Sequence, residues 1–120
     1  MSECVFCKII AGAAPAEKLF QDDQVTAFRD KHPIASTHVL IVPNKHIHSV
    51  NELSAADETL LGHMFTVARQ LAYESGIAGD GYRLIVNTGA GAGQAVFHLH
   101  LHLIGGHRMH ADGLHPHSMG

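Results

Sequence analysis

The chain lacks the features that would mark several large classes of protein. No apolar run approaches the length needed to cross a bilayer; Val5-Phe6-Cys7-Lys8-Ile9-Ile10 is short and broken by Lys8. Only 16% of the residues are charged, and the net charge is −3 with the twelve histidines neutral. That offers no broad attraction to nucleic acid or to an anionic membrane, and it leaves small ligands or proteins as the expected partners. Cysteine is limited to Cys4 and Cys7, which excludes a disulfide framework and suits a metal half-site or a redox pair. Glu3 stands where a secretory signal would carry positive charge, so a cytoplasmic location is expected. There are no internal repeats.

What the chain does have is histidine, and three of its histidines alternate. In Phe97-His98-Leu99-His100-Leu101-His102-Leu103-Ile104, a strand would place His98, His100 and His102 on one face and the three leucines on the other. Alternate residues on a strand lie roughly 6.6 Å apart, too far for three imidazoles to clasp one small ion unaided. The row is open to three readings: a metal-binding ladder, the polar face of a half-buried strand, or a central imidazole that meets a substrate while its neighbours orient it.

With 120 residues the chain is long enough for one domain, 1–120, with one core. The segment 1–12 carries Cys-x-x-Cys, and 105–120 forms a His- and Gly-rich tail expected to lack order or to serve a contact surface. Cys4 to Ile10 reads as one or two helical turns. Lys18–Gln21 and Gln24–Arg29 flank Asp22-Asp23 and read as a hairpin, because aspartate favours turns. His38–Val42, ended by Pro43, reads as a central third strand. Ser54 caps the one long helix, whose apolar stripe is Leu60, Leu61, Met64, Phe65, Ala68, Leu71 and Ala72; Gly76 stops it. Tyr82–Asn87 and Phe97–Ile104 complete five strands. Because strands and helices do not alternate, the expected class is α+β, an antiparallel five-stranded sheet with one long helix on a face.

The loop Gly89-Ala90-Gly91-Ala92-Gly93-Gln94 leads into the histidine strand. A strand follows it and not a helix, so it is no dinucleotide fingerprint; it is a flexible turn or a cradle of backbone N–H groups for an anion. Cys4-x-x-Cys7 lacks the preceding strand of a thioredoxin-like pair, and two further ligands would complete a tetrahedral zinc site.

His98-Leu99-His100-Leu101-His102-Leu103-Ile104 resembles the signature of the histidine triad family, in which three histidines alternate with apolar residues. Asp22-Asp23, Phe28-Arg29-Asp30, Thr37–Pro43, His46, Leu60–His63, Gly81-Tyr82-Arg83, Val86-Asn87 and Gly93-Gln94 extend the likeness to its Hint branch. That resemblance implies a sheet continued across a homodimer, and a nucleotidyl hydrolase or transferase cleaving purine nucleoside phosphoramidates to a nucleoside monophosphate. It implies His100 as nucleophile, His102 as stabiliser of phosphate charge, and His38 as their support from an adjoining strand. It places Asp30 on the ribose, Asn87 and Gln94 on phosphate or leaving-group atoms, and Phe6, Ile9, Phe28, Ala95 and Val96 around the nucleotide. It implies structural zinc on Cys4, Cys7, His46 and His98, and no organic cofactor. Ala95 stands where the pattern often has a hydroxyl, and the ending lacks the Trp-Pro-Pro-Gly of some relatives; both leave the leaving-group preference open. A dinucleoside polyphosphate hydrolase, a nucleotide-binding interaction module with weak catalysis, and a metal-handling protein are the alternatives.

Overall fold

The computed structural model describes residues 4–106; most of the 105–120 tail lies outside the described residues. Five strands form one antiparallel sheet in the order β1-β2-β3-β5-β4. They are β1 Lys18–Gln21, β2 Val25–Arg29, β3 Thr37–Pro43, β4 Tyr82–Ile85 and β5 Leu101–Gly105. Helix α1, Val5–Ile10, precedes them, and α2, Glu58–Glu74, lies between β3 and β4. Among the described residues no helix is long and apolar enough to cross a membrane.

The two faces of the sheet carry different chemistry because side chains alternate. Val25 and Ala27 of β2, Val39 and Ile41 of β3, and Leu101 and Leu103 of β5 bury one face against α2. Phe28, Leu40 and Val42 point the other way and pack with Phe6 and Ile9 of α1. His38 and His102 share this second face, brought close by the pairings His38↔Ile104 and Leu40↔His102. β3 is buried along its whole length, as the continuous apolar run demanded.

The turns are built by the expected residues. Asp22 Oδ1 accepts from the backbone N–H groups of Gln24 and Val25, both at 2.8 Å, which closes the β1–β2 hairpin. His63 on α2 meets Asp22 Oδ2 at 2.6 Å and ties the helix to that turn. Ser54 and Asp57 form a reciprocal cap around the 3-10 turn Ala55–Asp57 that leads into α2. At the far end the N–H groups of Gly76 and Ile77 reach back to the carbonyls of Tyr73 and Ala72. Gly76 takes φ +79° there, a left-handed stop that glycine adopts without strain.

Four expectations need correction. Ser54 caps the 3-10 turn Ala55–Asp57 and not the long helix itself, which starts at Glu58. Phe65 is 51% exposed, and Val67 takes its place in a buried stripe of Met64, Val67, Ala68, Leu71 and Ala72. β4 ends at Ile85, leaving Val86 and Asn87 outside it. β5 begins at Leu101 and not at Phe97. The cause of the last lies in β3: its final residue, Pro43, has no N–H to offer a ladder, and its carbonyl is taken by His98 Nε2 at 2.8 Å. Leu99 N–H turns instead to the Ile47 carbonyl at 2.7 Å. Residues 97–100 therefore lie past the paired end of the sheet.

Candidate functional site

All three alternating histidines are buried, at 0–2% exposure, and each has a different set of partners. His100 Nδ1 lies 2.7 Å from the His98 carbonyl. A carbonyl only accepts, so Nδ1 carries the proton and Nε2 presents a lone pair. That Nε2 is buried and has no hydrogen-bond partner. Edge-on contact with Phe6, centroids 5.1 Å apart and planes at 89°, braces the ring.

The His102 tautomer is set by a longer chain. Ile34 N–H donates to His38 Nδ1 at 3.2 Å, so the proton of neutral His38 sits on Nε2. His38 Nε2 lies 3.0 Å from His102 Nδ1 and 3.4 Å from Asp30 Oδ2. Nε2–H donates to the nearer acceptor, and His102 must then carry its own proton on Nε2. That Nε2 is also buried without a partner. The site thus holds a lone pair on His100 and an N–H on His102, with the rings 5.0 Å apart. Such a pair can attack an electrophile and donate to the charge that develops on it.

Burial keeps these rings neutral, because it penalises the charged imidazolium. It pushes His102 down to about 3, helped by His100 and His38, and His98 down to about 4 against the hydrogen bond to Pro43. It lowers His100 as well, opposed by the His98 carbonyl and Asp30, and it lowers His38, opposed by Asp30.

Beside the histidines opens a cavity of about 910 Å³ walled by Phe6, Ile9, Phe28, Leu40 and Val96, with Asp30 in its lining. The size and the apolar walls suit a small organic ligand. The triad rings are not among its walls; Phe6, which touches His100, and Asp30, which touches His38, join the two. Asp30 is 8% exposed. Its Oδ1 accepts from His32 N–H at 2.8 Å, and its Oδ2 is buried on the His38 side without a hydrogen bond.

The remaining expected ligand-binding residues separate. Asn87 Nδ2 is buried and unpartnered. Gln94 is 3% exposed and its amide is spent on backbone: Oε1 accepts from Gly89 N–H, and Nε2 donates to the carbonyls of His48 and Val96. Gln94 therefore shapes the loop and has no free donor for a phosphate. The N–H groups of Gly89, Ala92, Gly93 and Gln94 are likewise consumed within the loop, so those four form no anion cradle. Ala95 is exposed and lies outside the cavity wall.

Cys4, Cys7, His46 and His98 converge, with their donor atoms all within 4.8 Å of one another. His98 Nε2 donates to Pro43, which leaves Nδ1 as a lone pair turned to both sulfurs and to His46. This set could hold a metal ion. A second cluster, Asp30, His38 and His102, meets the same distance test, but Ile34 N–H occupies His38 Nδ1 and keeps the proton on the Nε2 that would have to ligate. Pro43 and Ile34 act only through backbone atoms, and no residue pattern could have pointed to them.

Residues 3–115 match the family described as scavenger mRNA decapping enzyme C-term binding. The purine nucleoside phosphoramidase of Escherichia coli K12 is 54% identical over 104 residues, 87% of each chain. The crystal structure of a HIT family hydrolase from Legionella pneumophila superposes with TM-score 0.89 at 44% identity, covering 92% of this chain and 98% of that one. A HIT family hydrolase from Clostridium thermocellum gives 0.91 at 44% identity, covering 95% and 99%. A match along nearly the whole chain, sharing both sequence and fold with such hydrolases, leaves one conclusion: this chain belongs to the histidine triad (HIT) family.

Proposed function

We propose that the chain is a histidine triad hydrolase that cleaves purine nucleoside phosphoramidates to a nucleoside monophosphate and an amine. The observation that carries this is the lone pair of His100 Nε2, buried, unpartnered and fixed by the His98 carbonyl at 2.7 Å. In this reading the nucleoside lies in the cavity against Phe6, Ile9, Phe28 and Val96, and Asp30 Oδ2 accepts from a ribose hydroxyl. His100 Nε2 attacks the α-phosphorus, an N–P bond to the ring forms as the P–N bond of the substrate breaks, and the amine takes a proton from solvent water as it departs. His102 Nε2–H donates to a phosphoryl oxygen as its charge grows, and His38 holds that proton in place. Water then hydrolyses the nucleotidyl-histidine. Asn87 Nδ2 is a donor available to the phosphate side.

The Cys4, Cys7, His46 and His98 set fits zinc. Tetrahedral bonds of about 2.0–2.1 Å to nitrogen and about 2.3 Å to sulfur put two nitrogens roughly 3.3 Å apart and nitrogen and sulfur roughly 3.5 Å apart. Here the nitrogens are 3.2 Å apart and the nitrogen–sulfur distances are 3.3, 3.3 and 3.6 Å. An ion held there would contribute structurally, as a clip between the N-terminal segment and the sheet. A homodimer through a continued sheet would pair copies at one of the two four-residue edge strands, β1 or β4.

The test is turnover of adenosine 5′-phosphoramidate by the purified chain. His100→Asn is expected to lower the rate at least about a thousandfold, the scale of losing a nucleophile, while AMP binding by calorimetry persists. Turnover by His100→Asn at the parent rate would remove the assignment.

A further inference from the structure

His98 belongs to two constellations at once. Its ring Nδ1 lies 3.3 Å from Cys4 Sγ and 3.2 Å from His46 Nδ1. Its backbone carbonyl is the acceptor that fixes the His100 tautomer. What holds that carbonyl in place is not the sheet, because β5 pairs with β3 only from Leu101 onward. The backbone at His98 is held by three contacts outside the ladder: Leu99 N–H on Ile47, His98 Nε2–H on Pro43, and the ring's engagement with the cysteines.

A second link runs through α1. Phe6 sits between the two cysteines in sequence, on a helix of six residues whose N-terminal cap is Cys4 itself. So short a helix has little stability of its own and depends on its attachments. Phe6 packs edge-on against His98 at 5.9 Å and against His100 at 5.1 Å, and it walls the cavity. The elements that hold the sulfurs thus also hold one side of the nucleophile's ring and one wall of the nucleoside site.

We infer that His98 is a positioning residue, and that closure of the Cys4–Cys7–His46–His98 clip by a metal ion aligns the His100 lone pair through the His98 carbonyl and Phe6. The inference rests on the zinc and hydrolase readings given above and adds a control to them. Loading the clip adds the third restraint on the His98 backbone and anchors Phe6, and so narrows the nucleophile's ring to a single tautomer. Opening it by chelation, or by joining Cys4 and Cys7 in a disulfide with hydrogen peroxide (two thiols and one peroxide giving one disulfide and two waters), frees α1 with Phe6 and leaves the His98 backbone on its contacts to Ile47 and Pro43 alone.

The experiment follows the histidine rings directly. Proton–nitrogen correlation spectra of the ¹⁵N-labelled zinc-loaded protein are expected to show His100 protonated at Nδ1 alone. After removal of zinc with a chelator, and separately in the Cys4→Ser/Cys7→Ser variant, His100 is expected to become a mixture of tautomers and to lose its ring contacts to Phe6. Single-turnover nucleotidylation then falls about tenfold, the scale of one lost hydrogen bond with its geometry, and added zinc restores both readouts in the chelated protein only. A single, unchanged His100 tautomer after chelation would overturn the inference. So would loss of the β3 and β5 amide signals, since the clip would then govern the whole fold and not this ring. The tautomer readout uses no nucleotide, so it can fail while the hydrolase reading stands, and the reverse.

Discussion

His102 sits wholly buried on the sheet with its Nδ1 facing His38, and this makes it a source of pH dependence. In the unfolded chain it titrates near the ordinary 6.5, whereas in the fold burial first, then His100 and His38, hold it to about 3. Above pH 6.5 both states are neutral and the group adds nothing. Below that, the unfolded chain binds a proton that the folded chain refuses, so stability falls with pH until about 3. The slope for one such group approaches about 1.4 kcal/mol per pH unit. Urea unfolding between pH 6.5 and 5 is therefore expected to show a shallower pH slope for His102→Gln than for the parent, by about 1 kcal/mol per unit. Equal slopes would mean that His102 is not held neutral by the fold.

At the scale of elements, α2 shows where pattern and packing part. Met64 and Phe65 are adjacent apolar residues, and the expected stripe contained both. Met64 is 2% exposed within the core, whereas Phe65 is 51% exposed. One residue is a rotation of about 100° on a helix, enough to carry a ring past the edge of the buried face, and Val67 fills the space on the core side. Met64→Ala is expected to cost about 2–5 kcal/mol, the range for a buried truncation, and Phe65→Ala less than about 1 kcal/mol, read by thermal or urea unfolding. A larger loss at Phe65 would show that the ring is covered in solution. Residues 97–100 make the converse point. Their alternation is that of a strand, yet their hydrogen bonds go to Ile47, Pro43 and a neighbouring ring.

For the molecule as a whole, a metal ion held by Cys4, Cys7, His46 and His98 would close loops across most of the described chain. A metal that binds only the folded state stabilises it by mass action. One zinc per chain is expected by elemental analysis, with a thermal midpoint that falls on chelation and recovers when zinc returns. A stoichiometry well above one would point to further histidine sites, and zero would reduce the cluster to two free thiols beside two imidazoles.

The sequence by itself determined the class of fold, the hairpin at Asp22, the central strand ending at Pro43 and the stop at Gly76. These are local matters: period, capping and turn chemistry act over a few residues, and each found its expected partner. It also showed the residue types gathered at the candidate site, since three alternating histidines and a Cys-x-x-Cys pair are visible without coordinates. The tertiary structure alone decided which imidazole nitrogen bears a proton, because the deciding partners are the Ile34 N–H and the carbonyls of His98 and Pro43. Backbone donors and acceptors are the same in every residue, so only their placement in space distinguishes them. For the same reason Gln94 looked free to meet a phosphate, and in the fold its amide is wholly engaged with the chain itself.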